Sequence, residues 1–209
     1  MGLDTYLAFI DYKKAFDSID RNLLFFKLAS IGITGKMYTA VQSLYSSPLA
    51  KVVLNEYETD YFHCPIGVKQ GDCLSPTLFA IFINDLAQQI KDSELGVKLG
   101  NIESNEMEIL SILLYADDIV CLANSEIDLQ AILVIIEEWC QKWRLEVNLT
   151  KTNIMHVRSK RKRQSKFMFI FNHRPVPYCV STKYLGTTVD ENLDCKSTMD
   201  RHTDAAEEL

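Results

Sequence analysis

The chain has 209 residues, 47% of them hydrophobic and 24% charged, with a net charge of −6. That is enough for one or two domains with a real core, and it excludes wholesale disorder and collagen-like structure. No run of about 18 apolar residues occurs, so no membrane-spanning helix and no membrane partner is expected.

The first residues, Met1-Gly2-Leu3-Asp4, lack a signal-peptide pattern, and Tyr6 stands where a myristoylation site needs Ser or Thr. Thr5 to Ile10 reads as a short buried strand whose end presents Asp11. Asp20 caps a helix running through Ser30 and stopped by Gly32; a second helix spans Thr34 to Tyr45 and breaks at Ser46-Ser47-Pro48. Ala50 to Leu54 and Thr59 to Cys64 form a hairpin about residues 55–58. Pro65 to Ser75 is a loop, and Pro76 opens a helix that carries an apolar face to Ile90. Leu95 to Leu99 is a strand and Gly100 to Met107 a polar loop. Ile109 to Ala123 is the most apolar stretch of the chain, yet Asp117-Asp118 sits in its middle. Ser125 begins a helix whose apolar side reaches Trp143. Asn153 to Val157 is a strand, and a basic run follows from Arg158 to Lys166. Phe167 to Phe171 and Pro175 to Tyr178 form a small hairpin, Lys183 to Val189 is a further strand, and the last residues begin a helix. The order predicts an α+β fold, with helices on one face of a mostly antiparallel sheet of about four strands.

Six cysteines, Cys64, Cys73, Cys121, Cys140, Cys179 and Cys195, form no C-x-x-C pair. A zinc ribbon or thioredoxin-type centre therefore has no support, and they read as reduced thiols of an intracellular protein, nuclear or cytoplasmic. Charge is unevenly spread. From Lys142 to Arg174, ten Lys and Arg face one acid, Glu146, so an acidic whole contains a basic segment suited to nucleic acid, a solvated loop or a nuclear localisation signal.

Two adjacent carboxylates between two buried strands are costly unless water or a cation reaches them. A solvated turn satisfies Asp117 and Asp118 without further function. A divalent cation also satisfies them, by turning repulsion into shared ligation. Asp11 adds a third carboxylate at the end of another apolar strand. Two strands delivering three carboxylates to one sheet edge suit phosphoryl transfer by two Mg²⁺ ions roughly 3.5–4 Å apart.

The stretch Asp11-Tyr12-Lys13-Lys14-Ala15-Phe16-Asp17 resembles motif A of reverse transcriptases, in the form used by non-LTR retrotransposons. Gln70-Gly71-Asp72-Cys73-Leu74-Ser75-Pro76, running on to Asn84-Asp85-Leu86, resembles motif B. Tyr115-Ala116-Asp117-Asp118 is similar to motif C, Leu145 to Thr152 to motif D and Tyr184-Leu185-Gly186 to motif E. The five occur in family order over most of positions 5 to 190.

The resemblance implies a polymerase palm, a ferredoxin-like antiparallel sheet backed by helices. It implies RNA-directed DNA polymerisation from dNTPs on an RNA template and DNA primer, with two Mg²⁺ ions, or Mn²⁺ in their place. Asp11, Asp117 and Asp118 match its metal-binding carboxylates, and Lys151 matches the lysine that protonates pyrophosphate. Phe16 falls where the family places an aromatic under the sugar, Gln70 and Gly71 where a loop meets template and incoming nucleotide, and Tyr184, Leu185 and Gly186 at the primer grip. Tyr115 stands between nucleotide contact and simple packing. By this reading residues 1–157 hold the palm with part of the fingers connection. Residues 158–209 hold a basic linker lying near the palm's primer–template, the motif E region and the start of a thumb connection. Fingers, thumb and endonuclease segments are expected to belong to a parent polyprotein. The alternatives are a catalytically inactive palm remnant that binds nucleic acid or a partner, and another palm-based nucleotidyl transferase such as a nucleotide cyclase.

Overall fold

A computed structural model describes residues 4–101 and 106–193. In chain order it contains β1 (Thr5–Ile10), α1 (Arg21–Ser30), α2 (Gly35–Leu44), β2 (Leu49–Ala50), β3 (Val53–Leu54), β4 (Tyr57–Glu58), β5 (Phe62–His63) and α3 (Ser75–Asp92). It continues with β6 (Val97–Asn101), β7 (Glu106–Leu110), β8 (Ile112–Tyr115), β9 (Asp118–Ala123), α4 (Glu126–Trp143) and β10 (Asn153–Val157), and ends with β11 (Ile170–Phe171), β12 (Arg174–Pro175), β13 (Ser181–Tyr184) and β14 (Thr187–Asp190). The fold mixes helices and strands as the sequence predicts. Contacts divide it into two units. One holds the described residues of 4–12, 86–141 and 146–193, the other residues 13–85 and 142–145.

In the first unit four strands form an antiparallel sheet in the order β10-β1-β9-β8. β1 lies inside it, with Tyr6 to Ile10 all buried. A strand covered on both faces needs no polar alternation, which is why its sequence is apolar throughout. One face carries Leu7, Phe9, Val120 and Met155, packed under Tyr184 and Val189 of the β13–β14 hairpin. The alternate residues of β1 face α4. The Tyr6 hydroxyl donates to Glu126 Oε1 at 2.7 Å, and Cys140 Sγ lies 4.0 Å from the Tyr12 hydroxyl. Ser125 Oγ accepts the Asp128 N–H at 3.1 Å and caps α4. Leu129, Ile132, Leu133, Ile136, Trp139 and Cys140 then form its buried stripe at helical spacing.

In the second unit Asp20 Oδ1 accepts the N–H groups of Asn22 and Leu23 and caps α1. Lys27 lies among the buried leucines of α1. Its ammonium pairs with Asp85 at 2.6 Å, donates to the Phe82 carbonyl and sits 3.7 Å from the Trp143 ring centre. Burial pushes it down to about 8. Gly67 joins two segments. With φ +81°, its N–H donates to Ile19 O at 2.8 Å, and a Cβ there would meet the Asp17 backbone at 2.6 Å.

Three local expectations change. Lys183 to Val189 is a hairpin, not one strand: Leu185 and Gly186 take φ of 49° and 80° and reverse the chain in two residues, a conformation that glycine makes inexpensive. Tyr57-Glu58 is a strand, because Asn55, at φ 55°, already turns the chain. Gly100 and Met107 belong to a β6–β7 ladder rather than a loop. The expected C-terminal helix start and Cys195 lie outside the described residues. Cys64, Cys73, Cys121, Cys140 and Cys179 are free thiols. Among the described residues no helix is long and apolar enough to cross a membrane.

Candidate active site

Asp11 follows the last residue of β1, and Asp118 is the first of β9. The register pairs Ile10 with Ile119, so the next step sets Asp11 opposite Asp118. Opposed residues of an antiparallel pair share a face. Here that is the face of Phe9 and Val120, under the β13–β14 hairpin. Tyr115 pairs with Asp118 across a turn made of Ala116, at φ 52°, and Asp117.

A cavity of about 240 Å³ opens at this sheet end, lined by Phe9, Asp11, Asp118, Lys151, Lys183 and Tyr184 among others. Residues from motifs A, C, D and E thus share one wall. Asp118 is raised above the ordinary carboxylate range, by partial burial first and then by the charges of Asp117 and Asp11. The Tyr184 hydroxyl is raised by burial and then by the charge of Asp118. Tyr115 is 65% exposed, and Leu185 and Gly186 form the hairpin turn.

The loop after α4 holds Asp11 in place. Asn148 N–H donates to Asp11 O at 2.7 Å, and Asp11 N–H donates to the buried Thr152 hydroxyl at 3.2 Å. Asn148 Nδ2 donates to Asp11 Oδ2 at 3.0 Å, and Lys151 Nζ lies 4.0 Å from the same oxygen. Asn148 and Thr152 are contacts that motif D contains but that sequence spacing does not reveal.

Carboxylate oxygens are the donors that hard divalent cations take, and the mutual repulsion at Asp118 is what such a cation relieves. The donor set therefore fits Mg²⁺. Among the described residues, however, no three His, Cys, Asp or Glu side chains gather about one point. Asp11 is satisfied instead by an amide and an ammonium.

The remaining site residues lie in the second unit. Phe16 stacks on Phe79 with ring centres 4.8 Å apart. With Lys69, Gln70, Gly71 and Pro76 it lines a cavity of about 500 Å³. The Val68 N–H donates to Phe16 O at 2.8 Å, tying the Gln70-Gly71 loop to the Phe16 turn, and Gln70 Nε2 donates to Asp17 Oδ1 at 2.8 Å.

The basic run leaves the same sheet at its other end. Thr5 pairs with Val157, so Arg158 and its successors leave the sheet beside Asp4, at the opposite end of β1 from Asp11. One strand length separates them, although Lys151 and Arg158 are neighbours in sequence.

The profile of the family described as reverse transcriptase (RNA-dependent DNA polymerase) matches residues 1–189. A retrovirus-related Pol polyprotein from the type-2 retrotransposable element R2DM of Drosophila melanogaster is 28% identical over 188 residues, covering 87% of this chain and 17% of the relative. The RNA-directed DNA polymerase from the mobile element jockey of Drosophila melanogaster is 27% identical over 201 residues, 93% of this chain and 20% of the relative. The chain thus spans a fifth or less of these relatives. An apo telomerase from Candida tropicalis, truncated of its C-terminal domain, matches with a TM-score of 0.60 over 93% of this chain and 35% of its own. At 16% identity that likeness is one of fold.

Proposed function

The chain belongs to the reverse transcriptase (RNA-dependent DNA polymerase) family, and on that premise we propose that it carries the nucleotidyl-transfer centre of an RNA-directed DNA polymerase. The supporting observation is the alignment of Asp11 with Asp118 at one sheet end, in a cavity shared with Lys151 and Tyr184. The sheet order, in which each of two crossovers passes over one strand, supports a ferredoxin-like palm. Residues 1–157 then supply the palm and part of the fingers connection, and 158–209 lead toward a thumb.

In this reading Asp11, Asp117 and Asp118 hold two divalent ions, Mg²⁺ or Mn²⁺. When bound, these supply the Lewis acidity that makes a primer 3′-hydroxyl nucleophilic and offsets charge on the departing pyrophosphate. Asn148 and Thr152 fix Asp11 so that its carboxylate does not swing away. Lys151 carries the proton for the pyrophosphate oxygen, its ammonium kept at the cavity by Asp11. Tyr184, on the hairpin over the sheet, supports the primer end, with Leu185 and Gly186 closing the turn. Phe16 bears on the sugar of the incoming dNTP, the Gln70-Gly71 loop and Tyr115 on its base and on the template.

A second reading, a palm remnant that binds nucleic acid without extending it, draws on the open spacing of the carboxylates. Primer extension on an RNA template, with fingers and thumb segments supplied to the chain, separates the two. The first expects dNTP incorporation that needs Mg²⁺ and is abolished by Asp11→Asn. The second expects no incorporation, and RNA binding indifferent to Mg²⁺ and to Asp11.

A further inference from the structure

The run from Arg158 to Lys166 is held as a folded loop, and its cations divide into two sets. Arg158 forms a two-armed pair with Glu191 at 2.6 and 3.2 Å, and its Nε donates to Lys162 O at 3.1 Å. Lys162 pairs with Asp4 at 2.9 Å. Ser165 N–H donates to His156 Nδ1 at 3.1 Å, and Ser165 Oγ donates to Glu126 Oε1 at 2.9 Å. These bonds use the carboxylates of Asp4, Glu126 and Glu191. Lys160, Arg161, Arg163 and Lys166 stay exposed, and among the described residues no carboxylate lies within ion-pair distance of them.

We infer that Lys160, Arg161, Arg163 and Lys166 form a second nucleic-acid contact, a preformed phosphate-binding surface one strand length from the carboxylates. Phosphate neutralises a cluster of unpaired cations and releases counterions. Because the loop is already tied down, little ordering cost opposes binding. An import signal read by another protein is the less fitting occupant. Recognition of Lys160-Arg161-Lys162-Arg163 as an extended peptide would require breaking the Lys162–Asp4 pair and the Arg158–Lys162 bond.

Seven residue steps separate Asp4 from Asp11, about 23 Å at 3.3 Å per residue. The test compares the chain with a variant bearing Lys160→Gln, Arg161→Gln, Arg163→Gln and Lys166→Gln. A control carries the same charge change elsewhere, at Lys36, Lys91, Lys98 and Arg174. Binding of single-stranded RNA of about 20 nucleotides is followed from about 50 to 200 mM salt in EDTA. The expected result is a fall of about 3 in the log–log salt slope for the loop variant, at roughly 0.7 per phosphate contact, and a fall less than half as large for the control. RNA of about four nucleotides, whose few phosphates cannot meet all four cations, should bind more weakly. On the unmutated chain, RNA should shield Lys160 and Lys166 from acetylation.

An unchanged slope, an equal fall in the control, or unshielded lysines overturns the inference. So does a loop variant that loses only an import adaptor. Only the choice of RNA as the probe rests on the polymerase reading. Since binding is read without divalent ions, primer extension can fail while this surface stands, and the reverse.

Discussion

Asn148 Nδ2 donates to Asp11 Oδ2 at 3.0 Å while the same amide's Oδ1 accepts from Thr150 Oγ1 at 2.7 Å. With its oxygen engaged by Thr150, the amide can present only its NH₂ to the carboxylate. A hydrogen bond to a charged group contributes about 1.5 kcal/mol at the low end, a tenfold change in rate. Asn148→Ala should therefore lower primer extension tenfold or more, in kcat rather than in the KM for dNTP. Thr150→Val, which leaves Asn148 Oδ1 only the backbone N–H of residue 150 at 3.3 Å, should have a smaller effect of the same kind. Wild-type kcat in Asn148→Ala would show that the amide does nothing for Asp11.

Asp118 sits at a point of conflict between stability and function. Its carboxyl is raised by burial and by Asp117 and Asp11, so its charged form is disfavoured in the folded chain. A group whose folded value exceeds its unfolded one stabilises below the unfolded value, and that stability is lost as pH rises through the folded value. At neutral pH Asp118 is therefore a net cost, which water screens to less than about 1 kcal/mol. Asp118→Asn should raise the melting temperature slightly without Mg²⁺ while abolishing extension. A variant that melts lower would mean that the carboxylate makes a favourable contact instead.

Local signals make much of the fold legible. The Asp20 cap, the Ser125 cap and the strand from Asn153 to Val157 each depend on side chains close in sequence, and each lies where the pattern puts it. The meeting of Asp11 with Asp118 is legible because Asp11 follows one apolar strand and Asp118 opens another. What escapes is set by long-range register. The five residues of β10 carry the chain from Lys151, beside Asp11, to Arg158, beside Asp4, and nothing in the residue types records that distance. Asn148 and Thr152 meet Asp11 across more than 130 positions. The demand for glycine at position 67 comes from the Asp17 backbone, which only the folded chain brings near.

His156 gives the first unit an acid-sensitive joint. Nδ1 accepts from Ser165, so the ring keeps its proton on Nε2, which is buried without a hydrogen bond 3.8 Å from Asp4 Oδ1. The ring also stacks on Tyr6, with centres 4.4 Å apart. Burial holds its pKa below the ordinary 6.5, with Arg158 and Lys162 acting the same way and Asp4 and Glu126 opposing. The unfolded chain therefore takes up the proton first. The stability that the neutral ring contributes is complete above 6.5 and is lost as pH falls below it. Urea midpoints measured from about pH 7.5 to 5.5 should fall for the wild type and fall less for His156→Phe, which keeps the stack but cannot take a proton. Equal slopes would remove His156 as the cause.

Phe16 tests whether the second unit selects the sugar. Its ring lies on Phe79 and forms part of the cavity wall with Gln70 and Gly71. In the proposed function that ring occupies the space that a 2′-hydroxyl needs, so shortening it should admit ribonucleotides. Phe16→Val keeps a branched apolar side chain against Phe79. It should raise the ratio of rGTP to dGTP kcat/KM by about tenfold to a hundredfold, the range that a pocket gains from a few carbon atoms. The dNTP kcat/KM should fall by less than the ribonucleotide value rises. If both change in parallel, the ring packs the loop and does not read the sugar. The discrimination would then have to come from the backbone of the Gln70-Gly71 turn.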